Sequence, residues 1–101
     1  MASNVIVTIS YPVKLAKVAT YQKLADQFVR AVNSSQETVR VSIYASDEKA
    51  NGFVEVYECS NNESFDNLED AYDEQTRELI VALADCIEDR QVVRTLTKRI
   101  G

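Results

Sequence analysis

Hydrophobic positions fall into six blocks along the chain. Over 5–11 the residues are mostly β-branched and alternate in part, with Val5, Val7 and Ile9 on one side and Ile6, Thr8 and Ser10 on the other, which predicts a strand. Pro12 restricts its own backbone and suits a strand end or a first helical turn. Beyond it, Val18, Tyr21, Ala25, Phe28 and Val32 recur at three and four residues, the stripe of an amphipathic helix over 14–33 that the turn formers Asn33, Ser34 and Ser35 close. Residues 38–45 alternate cleanly, Val39, Val41 and Ile43 against Arg40, Ser42 and Tyr44, and predict a second strand. A polar loop over 46–52, holding Gly52, joins it to a third strand over 53–59, so the pair reads as a β-hairpin. N-cap candidates at 61–64 precede Phe65, Leu68, Tyr72, Leu79, Leu83 and Ile87, a helical stripe over 64–88 whose polar step at Gln75 and Thr76 marks a point where it can kink. A fourth strand over 91–100 follows, with neither alternation cleanly apolar.

The order βαββαβ predicts an α+β, ferredoxin-like single domain over 1–101, with two helices on one face of a four-stranded antiparallel sheet. If Val39, Val41, Ile43, Val54 and Val56 face the helices, then Arg40, Ser42, Tyr44, Phe53, Glu55 and Tyr57 share the uncovered face, a mixture of aromatic and polar groups that suits a lined cavity or an interface. This assignment requires opposed residue numbers in the hairpin to sum to an odd value, because side chains alternate with period two. It also places Arg40 within reach of Glu55 in one of the two natural registers.

Composition narrows the chemistry. The 101 residues contain no histidine, so the usual neutral-pH base, the commonest metal ligand and any Ser-His or Cys-His nucleophile are missing. Cys59 and Cys86 are isolated and read as buried thiols, and Gly52 and Gly101 are too few for a glycine-rich phosphate cradle. No metal is expected. The longest apolar run, over 79–84, is far short of the roughly 20 residues that cross a membrane, and 1–4 carry no basic residue of a signal peptide, so the chain is expected to be cytoplasmic with no membrane partner. Acidic residues crowd into 55–90, twelve against two basic, within a net charge of −5, so no nucleic acid partner is expected.

The segment Phe53-Val54-Glu55-Val56-Tyr57-Glu58, followed by Phe65 and Leu68, resembles the dimeric α/β-barrel proteins that include the antibiotic-biosynthesis monooxygenases, in which an apolar-Glu-apolar-aromatic strand leads into a helix. The resemblance implies a homodimer whose two sheets form a barrel, and a pocket for a small apolar or phenolic ligand. The family often has a histidine where Glu69 falls here, one turn before Tyr72, and often a tryptophan at the position of Tyr57; without either, haem chemistry is not expected, nor any other cofactor. Two functions stand side by side. In a cofactor-independent oxygenase, Glu55 is the base, and Arg40, Tyr44, Phe53, Tyr57, Glu69 and Tyr72 line the pocket or steady an anion. In a non-catalytic ligand- or protein-binding dimerisation module, the same residues build the pocket and Glu55 pairs with Arg40.

Overall fold

The computed structural model describes residues 4–88 and 92–101, so the first residue of the predicted fourth strand, at 91, lies outside the described residues. Strand β1 (Val5–Pro12) leads through a single 3₁₀ turn at Leu15–Lys17 into helix α1 (Val18–Ser35), then β2 (Val39–Ala45) and β3 (Gly52–Cys59). Three helical pieces follow, α2 (Asn62–Asp66), α3 (Leu68–Ala71) and α4 (Glu74–Cys86), before β4 (Val93–Lys98). The sheet is antiparallel with order β2-β3-β1-β4, and the helices pack on one face: an α+β, ferredoxin-like fold.

Two local departures from the sequence pattern have visible causes. Helix α1 runs on through Ser34 and Ser35 because their hydroxyls donate to the carbonyls of Arg30 and Ala31, satisfying themselves inside the helix rather than in a turn. The predicted helix over 64–88 breaks at Tyr72, not at 75–76: Tyr72 is extended, and the Asp73 carboxylate accepts from the Thr76 N–H at 2.8 Å, a new N-cap that starts α4.

The core is the helix-facing side of the sheet. Tyr21, Ala25, Phe28 and Val32 of α1, with Leu83 and Cys86 of α4, pack on Val5, Val7, Tyr11, Val39, Val41, Phe53, Tyr57 and Cys59. Full burial of a side chain such as Phe28 contributes about 1.5–3 kcal/mol. The end of α4 is pinned to the end of β1 by the Val13–Ile87 bridge and by hydrogen bonds from Lys14 N–H to Cys86 C=O (2.8 Å) and Glu88 N–H to Pro12 C=O (2.9 Å).

The hairpin register corrects the predicted faces. Val39 pairs with Cys59, Val41 with Tyr57 and Ile43 with Glu55, so opposed numbers sum to an even value and the odd-numbered residues of β3 lie with Val39 and Val41 on the helix side. Phe53, Glu55, Tyr57 and Cys59 are buried there, while Val54, Val56 and Glu58 share the uncovered face with Arg40, Ser42 and Tyr44. Arg40 stands opposite Glu58, not diagonal to Glu55. The physical reason is area: two aromatic rings remove more apolar surface from water than two valines, and hydroxyl donors on the helix side meet the one carboxylate that comes with them.

Candidate functional site

A cavity of about 390 Å³ lies between the sheet and the helices. Ile9, Glu55, Tyr57 and Arg94 form its sheet side, and Phe28, Phe65, Leu68, Tyr72, Ile80, Leu83 and Ile87 supply most of the rest. Asp66 and Glu69 are exposed residues on its wall. The Arg94 guanidinium sits 4.8 Å from the centre of the Phe65 ring, which itself meets Tyr57 edge to face at 5.2 Å.

Glu55 is the polar centre of this wall and is 9% exposed. Its Oε1 accepts from the Tyr57 hydroxyl at 2.5 Å, and its Oε2 accepts from the Tyr11 hydroxyl in a short hydrogen bond. The Tyr11 and Tyr21 hydroxyl oxygens are 2.6 Å apart. Because the single O–H of Tyr11 is given to Glu55, Tyr21 must be the donor to Tyr11, and the order of protons is Tyr21 to Tyr11 to Glu55, with Tyr57 arriving from the other side. Among the described residues no lysine or arginine pairs with Glu55. The carboxylate is held by neutral donors alone.

Burial and then the Glu55 charge push the Tyr11 and Tyr57 phenols far above their ordinary value. Burial also raises Tyr21, with the Glu55 charge adding to it. Tyr72 is raised by burial first and then by the charges of Glu55 and Glu69. Its ring meets Phe28 edge to face at 6.0 Å, the residue lines the cavity, and its hydroxyl has no hydrogen bond among the described residues.

The structure divides the predicted pocket residues. Glu55, Tyr57, Glu69 and Tyr72 surround one cavity. Arg40, Tyr44 and Phe53 line a separate, more open cleft between α1 and the β2 edge, with Phe53 tilted against Tyr21 at 4.6 Å. This division follows from the even register, which puts Arg40 and Tyr44 on the opposite face from Glu55. Sequence reasoning missed Tyr11, Tyr21 and Arg94. The signal for Tyr11 was present, since it is in phase with Val5, Val7 and Ile9 on the core side.

The chain is thus an α+β protein with a four-stranded ferredoxin-like sheet and a carboxylate on the wall of a largely apolar cavity. No family model matches the chain, and no curated protein does. Solved structures match in fold. A conserved protein from Methanosarcina mazei Go1 has a TM-score of 0.81 at 15% identity, over 97% of this chain and 94% of its own. An antibiotic biosynthesis monooxygenase gives 0.80 at 11% identity, over 96% and 99%. SnoaB, a cofactor-independent oxygenase from Streptomyces nogalater, gives 0.77 at 14% identity, over 99% and 96%. The resemblance carried by residues 53–58, Phe65 and Leu68 therefore holds at the level of the fold: the chain is folded like the antibiotic-biosynthesis-monooxygenase proteins.

Proposed function

We propose that this protein is a cytoplasmic, homodimeric, cofactor-independent oxygenase acting on a small, largely apolar ring compound with an acidic phenol or enol. The observation that carries the proposal is Glu55, an acceptor-only group on an apolar cavity wall, held by tyrosine donors and paired with no lysine or arginine among the described residues. A carboxylate offers about four lone-pair positions, of which the tyrosines take two, so it retains room to accept a substrate proton. The deprotonated ring passes one electron to O₂; the resulting radical pair forms a C–O bond, and the peroxide takes the proton back from Glu55 and loses water. A ring CH₂ and O₂ thus become a carbonyl and water. Tyr72, which lines the same cavity and whose hydroxyl has no hydrogen bond among the described residues, steadies the oxyanion formed at the first step.

A second reading, a non-catalytic binding module, draws on the same network, because both Glu55 oxygens already hold hydroxyl partners. Oxygen uptake with a panel of phenols and enolisable cyclic ketones separates the two. The oxygenase reading expects uptake by the wild type and at least a hundredfold loss in Glu55→Gln, in the range of a general base. Ligand binding without uptake, equal in both proteins, would leave the module.

A further inference from the structure

We infer that Tyr11 and Tyr21, which stand behind the cavity and do not line it, are positioning residues for Glu55: their hydroxyls form a two-step donor chain that fixes one carboxylate oxygen and leaves its remaining lone pairs for the cavity. The inference rests on the reading of the cavity as the place of proton abstraction.

Phenylalanine would fill the same volume at both positions. A buried hydroxyl adds nothing to packing and costs free energy unless it finds an acceptor. Tyr21 is 0% exposed and Tyr11 4%, and their hydroxyls are satisfied only because Glu55 ends the chain. The rings are held independently of the hydroxyls: Tyr21 is tilted on Phe53 at 4.6 Å and meets Tyr11 edge to face at 5.9 Å. The chain also has one direction, since the single O–H of Tyr11 is given to Glu55 and Tyr21 must then donate to the Tyr11 oxygen.

The groups that face Glu55 are Tyr11 from β1, Tyr21 from α1, Tyr57 from β3 and Tyr72 between α3 and α4. Asp66 of α2, Glu69 of α3 and Arg94 of β4 are the charged side chains on the same cavity, and α4 contributes apolar groups there.

Carbon-13 NMR of the side-chain carboxyl, assigned by its loss in Glu55→Gln, reads the protonation midpoint without any substrate. Tyr11→Phe is expected to raise the Glu55 midpoint by about one pH unit, a tenfold change in proton affinity, and Tyr21→Phe by less in the same direction. Incorporating 3-fluorotyrosine at position 11 keeps the hydroxyl, strengthens it as a donor and lowers the midpoint, so it decides the matter even where Tyr11→Phe fails to fold. A folded Tyr11→Phe with a lower melting temperature and an unmoved midpoint, or a fluorotyrosine protein with an unmoved midpoint, would overturn the inference and leave the pair a structural one. A wild type without oxygen uptake but with the expected midpoint shifts would defeat the oxygenase reading instead.

Discussion

Glu55, flanked by Val54 and Val56 in a strand with apolar residues on both sides, is the residue whose environment the pattern alone could not decide. Its neighbours Phe53 and Tyr57 are in phase with it, and the two rings outweigh the two valines; the carboxylate is carried inward with them and meets hydroxyls rather than Arg40. What was legible was that Glu55 and Tyr57 share a side. What was not legible was which side, because the alternation of β3 is nearly symmetrical in hydrophobicity. Two conservative changes measure the network. Tyr57→Phe removes a hydrogen bond to a charged acceptor and should cost about 1.5–3 kcal/mol, read from the urea midpoint at constant slope. Tyr72→Phe removes a hydroxyl with no partner among the described residues, and should change stability by less than about 0.5 kcal/mol while weakening any phenolic ligand, read by calorimetric titration.

Among the elements, β1, α1, β2 and β3 were predicted within a few residues of their observed ends, because each carries a clear period of two or of 3.6. The segment after β3 was the hard one. Its apolar spacing looks continuous through Tyr72, but a side chain that could cap is available at Asp73, and the backbone uses it. The Thr76 N–H holds the Asp73 carboxyl below the ordinary value. A depressed carboxyl contributes stability above its unfolded value, near about 3.9, and loses it as pH falls through the folded value. Asp73→Ala should therefore lower the melting temperature at pH 7, and Asp73→Asn, which keeps the acceptor, should lower it less; the gap between wild type and Asp73→Asn should close below pH about 4 in a series of thermal melts.

At the scale of the molecule, the uncovered face of the sheet bears Ile6, 38% exposed, Tyr44, 57%, and Val93, 59%, beside the half-buried Val54 and Val56. A contiguous patch of this kind is what a partner covers, and two such faces together would bury both. Light scattering should give about twice the 11.4 kDa of one chain, and Val56→Glu, which sets a charge in the middle of that face, should shift the protein to monomer. The helix-facing side makes a different demand. Tyr11, Tyr21, Tyr57 and Tyr72 all have raised folded values, so they favour the folded state fully below the unfolded value near about 10 and cost it stability above. Each can contribute up to about 1.4 kcal/mol of lost stability per pH unit there. Tyrosinate absorbance and loss of circular dichroism should then rise together in one steep alkaline transition.

Three of these rings, Tyr11, Tyr21 and Tyr57, give the protein an optical character. The chain has no tryptophan and five tyrosines, so its emission under ultraviolet excitation is that of phenol. An excited phenol is a far stronger acid than one at rest, and it passes its proton to a neighbouring carboxylate before it can emit. Tyr11 and Tyr57 are bonded to such a carboxylate and Tyr21 is bonded to Tyr11, which leaves Tyr44, exposed on the opposite face, and Tyr72, whose hydroxyl has no such bond among the described residues, to supply most of the light of the folded state. The native protein is therefore dark for its tyrosine content and brightens as the Glu55 network comes apart, so every stability measurement described above has a built-in, label-free reporter on that network.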